Sequence, residues 1–410
     1  MPHLETIVGL LYLFFAIAAW PALLFVMVKG RKRMRLLFRP GFALPPDPPQ
    51  VSILVPAKDE AHQIESCVRS ILRQDYPNFE IVAINDRSVD ATGQIFDRLS
   101  AEDARVRPVH LSHTSIPPGW GGKSYALHCG LERARGEWLL FVDADVELEP
   151  DALSQSLAVA VKREFDLVSL LPKFIGKDFW ERLLQPLAGA ATAGMFAIAL
   201  TNSNQSRTAF ANGQFLLVKR SAYDAVGGHE AIRGTLSEDV ALARKLKDAR
   251  FRPRLSWADD FARVRMYEGL GGVIKGWGRN FYVGSHGRPW RMIAAVLFIL
   301  VFGFAMWPAL GWGIHRLSHP GAGWTGTKWI VSAGLHWLTM TAVLIQMYRW
   351  SDNPWWNALL WPVGAGVLIG ILCKSMWICA TGRVEWRGTT YSGATGVRAV
   401  ASGDGNPTPG

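Results

Sequence analysis

Residues 51–86 read VSILVPAKDEAHQIESCVRSILRQDYPNFEIVAIND, in which two short apolar runs, 51–56 and 80–85, flank a segment whose apolar residues have helical spacing. The alternation continues along the chain, with helices expected at 60–73, 91–104 and 123–135 and further strands at 106–111 and 138–143. Strands that alternate with helices favour an α/β fold with a parallel, doubly wound sheet. In such sheets ligands bind beyond the carboxyl ends of the strands.

Acidic residues follow three of these strands. Glu60 comes after the first strand, Asp86 after the second, and Asp143 and Asp145 after the fourth. A hard divalent cation that bridges a diphosphate prefers carboxylate oxygens, so Asp143 and Asp145 are candidate cation ligands. An acidic turn without a function is the alternative interpretation of these residues taken alone.

A glycine-rich loop, GWGGKS at 119–124, precedes the third predicted helix. Its glycines would let an anion approach the backbone, and Lys123 would place a positive charge near phosphate groups. The spacing differs from that of the phosphate-binding loop GxxxxGK[ST], because residue 117 is proline. A nucleoside triphosphatase of that class is therefore disfavoured.

The composition indicates that part of the chain lies in a membrane. Of its 410 residues, 49% are apolar and 19% are charged, which excludes an intrinsically disordered chain. Residues 6–28 carry no charge and are long enough to span the hydrocarbon core as a helix, and we expect three further spans at 292–314, 329–347 and 354–373. A cleaved signal peptide is the alternative for the first run, but its positive charges should precede the run, whereas Glu5 precedes it here.

The distribution of charge predicts which side of the membrane holds the α/β domain. The net charge is +10, and basic residues crowd behind the first run at Lys29, Arg31, Lys32, Arg33, Arg35 and Arg39. By the positive-inside rule we expect a multi-pass protein of the inner or plasma membrane with a cytoplasmic α/β domain. A nucleic-acid patch is the competing interpretation, and with this flank we expect no nucleic-acid partner. The four cysteines show neither a disulfide framework nor a zinc spacing.

These features divide the chain into six parts. We expect an N-terminal transmembrane helix at 1–30, a basic and proline-rich linker at 31–49, the α/β domain at 50–268, an interfacial amphipathic helix at 269–288, three transmembrane helices at 289–380, and a tail at 381–410 that is disordered at its end. The uncharged stretch 183–200 is expected either to lie at the interface or against the spans, or to be a plain core helix. With a cytoplasmic α/β domain, four spans would place the C-terminus outside the cell, whereas a re-entrant late run would place it inside.

Six motifs occur in order along the chain: VSILVPAKDE, INDRSVDATG, GWGGKSYALHCG, FVDADVELEPDAL, GQFLLVKRSAYDAVGG (213–228) and SEDVALARKLKDA (237–249). Over residues 50–285 they resemble family 2 glycosyltransferases of the inverting GT-A type. With GWGRN at 276–280, the chain is similar to membrane-bound bacterial enzymes that glycosylate carotenoids and hopanoid-associated lipids, and more distantly to ceramide glucosyltransferase. The resemblance implies a Rossmann-like GT-A domain that uses a nucleotide sugar, with UDP-sugar as the expected donor, a lipid acceptor, and Mn²⁺ or Mg²⁺.

The resemblance also implies roles for individual residues. Glu60 and Asp86 would face the nucleoside, Lys123 would face the phosphates, and Asp143 would face the ribose or diphosphate. Asp145 would bind the metal ion, and Asp239, next to Glu238, would be the general base. Arg279 with Trp277 would lie over the diphosphate. The chemistry agrees, because an inverting transfer needs one base and one cation and no covalent nucleophile. A pair of acids that stabilises a helix N-terminus is the alternative interpretation of Glu238 and Asp239.

The sequence departs from the family pattern in three places. Asn85 stands where an acid is usual in the second motif, and His128 stands where an asparagine is usual. A QxxRW signature, typical of processive polysaccharide synthases, occurs at 346–350, but its arginine lies 110 residues after Asp239, whereas Arg279 lies 40 residues after it. This arrangement favours the transfer of one sugar. A processive synthase and a non-catalytic membrane sensor that binds a nucleotide sugar are the two alternatives.

Overall fold

The computed structural model describes residues 2–35, 42–111, 115–285, 288–319, 321, 323–381, 383–386, 389–392 and 398–399. Arg39 of the basic cluster and most of the predicted tail, residues 393–397 and 400–410, lie outside the described residues.

Eight strands form one twisted sheet in the order β3-β2-β1-β4-β7-β6-β8-β5. Their bounds are β1 Val51–Ala57, β2 Phe79–Asn85, β3 Val106–His110, β4 Trp138–Val142, β5 Val146–Leu148, β6 Leu167–Phe174, β7 Phe215–Lys219 and β8 Pro253–Val264. Strands β1 to β4 are parallel, with Val51 opposite both Phe79 and Trp138. The four strands and the parallel pairing predicted for this half of the sheet are confirmed.

The other half of the sheet contains antiparallel as well as parallel pairs, so the prediction of a parallel sheet was wrong for this half. Strand β7 runs antiparallel to both β4 and β6, while β8 is parallel to β6 and antiparallel to β5. A parallel return requires a helix that crosses over the sheet. The helix between β6 and β7, Phe179–Met195, packs instead against the apolar helices Gly269–Gly284 and Trp361–Thr381, so the chain re-enters the sheet in the opposite direction. The mixed α/β sheet is typical of the GT-A fold.

Five helices flank the sheet: α2 Ile64–Leu72, α3 Thr92–Glu102, α4 Gly122–Leu131, α5 Ala152–Arg163 and α8 Glu238–Asp248, with the short α7 Arg220–Ala225 between β7 and α8. The alternation of side chains along each strand builds a core on both faces. Ile53 of β1 packs towards α2 and α5, whereas its neighbour Leu54 packs towards α4 and α8. Both side chains are fully buried, and each such burial stabilises the fold by about 1.5–3 kcal/mol.

The remaining helices form an apolar layer: α1 Pro2–Arg35, α6 Phe179–Met195, α9 Gly269–Gly284, α10 Pro289–Phe304, α11 Met306–Ser318, α12 Gly326–Trp350 and α13 Trp361–Thr381. In the described part of the chain, three helices are long and apolar enough to cross a membrane: His3–Lys32, Gly326–Trp350 and Trp355–Thr381, the last of which includes a 3-10 turn at Trp355–Leu360. They match three of the four expected spans. Short strands β9 Arg383–Trp386, β10 Thr389–Ser392 and β11 Arg398–Ala399 follow.

The run at 292–314, expected as one continuous span, is divided into α10 and α11 at Ala305. Pro308 lies in the first turn of α11 and cannot donate the hydrogen bond that would join it to Phe304, which interrupts the helix at this point. Helix α10 is long and apolar enough for a span only when it is joined to α9, and the pair is bent by 117°.

The stretch 183–200 is packed against the spans. Leu183 and Leu187 of α6 are buried in one apolar cluster with Trp277 of α9 and Ala365 of α13. A methyl group on Gly364 of α13 would lie 2.7 Å from Leu187 Cδ1, so the two helices meet at that glycine. The α/β domain therefore contacts the apolar layer through α6 and α9.

Candidate active site

A lysine joins two acidic residues that are far apart in the sequence. Lys123 lies in the first turn of α4, Asp143 directly follows β4, and Glu238 begins α8. Lys123 Nζ lies 2.6 Å from Asp143 Oδ1 and 2.7 Å from Glu238 Oε1. These contacts bring the glycine-rich loop, the acidic turn after β4 and the SED motif to one point.

The cavity at this point is lined by Lys123, Asp143, Glu238 and Asp239. Its larger apolar residues come from strands β4 and β7 and from helices α4 and α8 on one face of the sheet: Leu127, Phe141, Leu216 and Leu242. Two carboxylates therefore contact one ammonium group, and the carboxylate of Asp239 lines the same partly apolar cavity. The two carboxylates that it contacts raise the pKa of Lys123 further than burial lowers it, so the ammonium stays charged.

Asp239 is held in place by the backbone. The Gly213 N–H donates to its Oδ2 over 2.8 Å, and the Val240 N–H donates to its Oδ1 over 2.7 Å. Burial and the neighbouring Glu238 raise the pKa of Asp239 above the usual carboxyl range. A methyl group on Gly213 would lie 3.1 Å from Lys123 Nζ, so position 213 allows the backbone to approach both charged groups.

Asp145 has an unsatisfied oxygen. Its Oδ1 is buried and has no hydrogen-bond partner in the described ranges, although other parts of the residue remain partly exposed. Burial, Asp143 and Glu60 all raise the pKa of Asp145, because each disfavours its negative charge. A cation beside Oδ1 would supply both the missing partner and the missing positive charge. The residue therefore fits a ligand for Mn²⁺ or Mg²⁺.

No group of three or more His, Cys, Asp or Glu side chains in the described residues is arranged as a ready-made metal site. This arrangement suits a cation that is held by one or two carboxylates and completes its coordination with phosphate oxygens and water.

The two acids predicted to face the nucleoside lie at the ends of β1 and β2, apart from the Lys123 cavity. Glu60 is buried, and its Oε2 accepts a hydrogen bond of 2.6 Å from Gln63 Nε2. Asp86 is buried and forms an ion pair with Arg87, whose backbone has a φ of 56°. The two ends are linked, because the Asp86 N–H donates to Ala57 O over 2.8 Å.

Helix α9 carries the two residues predicted to lie over the diphosphate. Arg279 Nη2 donates to the Tyr267 hydroxyl over 3.4 Å, and Asp145 is close enough to Tyr267 to act on it electrostatically. Trp277 is buried in the layer of apolar helices, and its indole N–H donates to Gln185 Oε1 over 3.3 Å. Trp277 does not line the Lys123 cavity. The structure thus connects Arg279 to Asp145 through Tyr267 and places Trp277 in the packing behind it.

Sequence reasoning missed a histidine in the cavity wall. His229 follows Gly228, is buried, and its Nδ1 lies 2.7 Å from the Tyr223 hydroxyl. Burial and the positive charge of Lys123 lower the pKa of His229 to about 3, so the ring is neutral. The Tyr223 hydroxyl also accepts a hydrogen bond of 2.8 Å from the backbone N–H of His229, so Tyr223 contacts both the backbone and the ring of this histidine. The sequence feature that could have pointed to this residue is its position directly after Gly227 and Gly228.

Residues 52–227 match the sequence model of glycosyl transferase family 2. The matched segment is less than half of the chain, and it contains β1 from its second residue onward, the acidic turn after β4, and β7.

The chain is also similar to named proteins. The 4,4'-diaponeurosporenoate glycosyltransferase of Staphylococcus aureus is 28% identical over 254 residues, so the similarity covers 61% of this chain and 65% of the length of the relative. Among solved structures, a mannosyltransferase from Pyrobaculum calidifontis in complex with GDP-Man and Mn²⁺ is 17% identical with a TM-score of 0.47, covering 89% of this chain and 99% of that chain. Staphylococcus aureus TarS 1–349 in complex with UDP-GlcNAc is 15% identical with a TM-score of 0.38, covering 86% and 99%.

Proposed function

We propose that this glycosyltransferase moves one sugar from a nucleotide sugar, with a UDP-sugar as the first candidate, to the hydroxyl or carboxyl group of a lipid, with inversion at the anomeric carbon. The observation that carries the proposal is the meeting of Asp143, Glu238 and Asp239 around Lys123 in one cavity. An inverting transfer is a single in-line displacement, so it needs one base for the acceptor proton and stabilisation of the departing diphosphate.

Asp239 is the proposed general base. Its two backbone hydrogen bonds fix the direction of the carboxylate, and its raised pKa brings it nearer to neutral pH, where a general base is most effective. The acceptor proton would pass to Asp239 as the acceptor oxygen bonds to the anomeric carbon. Glu238 next to it raises the basicity of Asp239 and anchors Lys123.

Asp145 is the proposed metal ligand, supported by its buried and unpartnered Oδ1. A bound Mn²⁺ or Mg²⁺ would supply positive charge for the departing diphosphate. Lys123 and Arg279 are proposed to bind phosphate oxygens of the donor. Lys123 would give up its contact with Asp143 to do so, and Trp277 is proposed to support Arg279. Asp143 would then be released to bind the ribose or diphosphate, while Glu60 and Asp86 bind the nucleoside.

A lipid acceptor is supported by two observations. The named relative acts on 4,4'-diaponeurosporenoate, according to its name. In this chain, α6 and α9 pack against apolar helices. Glu181 of α6 also pairs with Arg265, just after β8, and the Trp277 ring of α9 contacts Phe174 of β6, so an acceptor could approach along these contacts. We further propose a multi-pass protein of the inner or plasma membrane whose catalytic domain is cytoplasmic.

The test is transfer by the purified full chain in detergent with Mn²⁺, a bacterial lipid extract, and UDP-glucose, UDP-GlcNAc or GDP-mannose radiolabelled in the sugar. We expect label in the lipid fraction with at least one donor, and its loss in the Asp239→Asn variant. If the wild type cleaved none of the donors faster than Asp239→Asn, the proposed site would be wrong.

The same assay separates single transfer from the processive alternative by the mass of the product. The sequence QMYRW at 346–350 lies at the end of α12, where the guanidinium of Arg31 lies 5.3 Å from the Trp350 ring. None of its residues lines the Lys123 cavity. We expect one sugar per lipid, and a ladder of longer products would contradict this.

A further inference from the structure

Tyr282 is a deeply buried side chain whose polar group is unused. It lies near the end of α9 with 1% of its surface exposed, and its hydroxyl has no hydrogen-bond partner in the part of the chain that the structure describes. Leaving a buried hydroxyl without a partner is unfavourable. The usual solutions are a water molecule, a ligand, or replacement by phenylalanine, so the retained hydroxyl needs an explanation.

The neighbours of Tyr282 connect the membrane part to the proposed base. Its ring packs on Leu236, which precedes Asp239 by three residues, and on Ile378 and Cys379 at the end of α13. The Tyr282 cluster therefore joins the end of α13 to the segment that leads into α8, in whose first turn Asp239 lies.

Helix α9 holds Tyr282 in this position through contacts that do not involve the hydroxyl. Ser285 Oγ donates to Tyr282 O over 2.7 Å, and Ser375 Oγ of α13 donates to Gly278 O over 2.5 Å. The backbone of α9 is thus fixed to itself and to α13, while the phenol group remains available to a ligand.

We propose that the Tyr282 hydroxyl binds the polar end of the acceptor, a long apolar molecule that ends in a hydroxyl or carboxylate, and that Leu236, Ile378 and Cys379 line the adjoining part of its chain. This inference rests on the proposed function and adds the place where the acceptor is recognised. The phenol donates to the acceptor oxygen, which holds that oxygen near Asp239. Tyr282 is accordingly an acceptor-binding residue, and hydrolysis of the donor by water would not need it.

The test uses the full chain in lipid nanodiscs and two polyene probes: cis-parinaric acid, which ends in a carboxylate, and diphenylhexatriene, which has no polar group. Binding is measured by energy transfer from the protein's 18 tryptophans, with empty nanodiscs as the background. Tyr282→Phe removes one oxygen atom and keeps the ring. Tyr348→Phe is the matched control, because Tyr348 is as deeply buried but its hydroxyl donates to Leu183 O over 2.8 Å.

We expect Tyr282→Phe to bind cis-parinaric acid about three- to tenfold more weakly, as for the loss of one hydrogen bond, and to bind diphenylhexatriene unchanged. Its thermal stability should equal or exceed that of the wild type, since no internal hydrogen bond is lost. Tyr348→Phe should lose stability and keep its affinity for both probes.

Three results would overturn the inference: unchanged acid affinity in Tyr282→Phe, equal weakening of both probes, or no binding of the acid by the wild type above background. Hydrolysis of the sugar donor by water in the presence of Mn²⁺ needs no lipid acceptor. That activity would therefore show whether the proposed glycosyl transfer stands when the acceptor site fails.

Discussion

Replacing Asp239 with asparagine separates the chemistry of this residue from its contribution to stability. The change keeps the shape of the side chain and removes its ability to take a proton. General-base catalysis contributes about 10²–10⁴-fold to rate, so we expect kcat to fall by that factor, which corresponds to about 3–5 kcal/mol in the activation free energy.

Stability should change little, because two effects oppose each other. The carboxylate accepts hydrogen bonds from the N–H groups of Gly213 and Val240, and asparagine can accept only one of them, which costs about 1 kcal/mol. In return, the variant no longer buries a negative charge beside Glu238. With these terms nearly balanced, the melting temperature should stay within about 3 °C of the wild type.

The pH dependence supplies a second measure. A carboxyl whose pKa is higher in the folded chain than in the unfolded chain binds its proton more tightly when folded, so stability is lost as the pH rises from the unfolded to the folded pKa. The wild type should lose stability over this window, and Asp239→Asn should lose less. Over the same window the wild-type rate should rise with pH, since the base must be deprotonated.

The assay is donor turnover between pH 4 and pH 9 together with thermal unfolding of both proteins, with Asp248→Asn as the control on the exposed end of the same helix. A variant of Asp239 that kept more than about a tenth of the wild-type kcat would refute the assignment of this residue as the general base. So would a wild-type rate whose acid limb lay at the ordinary carboxyl pKa of about 4.

Two further variants examine the cation site and the cavity wall. Asp145→Asn should weaken Mn²⁺ binding at least about tenfold, measured as free Mn²⁺ by electron paramagnetic resonance. Glu147→Gln, which changes an exposed residue two positions further on, should not weaken it, and equal affinity in both variants would exclude Asp145 as the ligand. Gly213→Ala should lower kcat several-fold and cost about 1 kcal/mol in the free energy of unfolding, because the new methyl group would lie 3.1 Å from Lys123 Nζ. Gly194→Ala is the control, because nothing lies within 4 Å of the methyl group added there, and equal kinetics in the two variants would show that the cavity tolerates the methyl group.

The sequence was informative where local pattern and topology agree. Strands β1 to β4 and their helices could be predicted within a few residues because each strand is a short apolar run bounded by turn residues. The antiparallel direction of β7 could not be predicted, since it depends on α6 packing in the layer of apolar helices rather than on the sheet. An apolar helix has the same sequence pattern in either place. Pro308 could have predicted the division at Ala305, but the absence of charge in 292–314 favoured one continuous span.

The candidate site shows the same limit. The acids could be placed at strand ends from their position after apolar runs, and the structure brings Asp143 and Glu238 to one lysine. Neither that ion pair nor the burial of Asp145 Oδ1 follows from sequence spacing, because both depend on how α4 and α8 pack on one face of the sheet. Tyr282 carries no motif at all, and only its missing partner identifies it.

The most direct measurement is a structure of the full chain bound to Mn²⁺ and an intact nucleotide sugar. The account predicts that the metal lies about 2.1 Å from an Asp145 oxygen, that Lys123 has turned from Asp143 to the phosphates, and that Asp239 faces the open side of the anomeric carbon. A donor bound with its anomeric carbon on the far side of the sheet from Asp239, or a metal held by other residues, would contradict it.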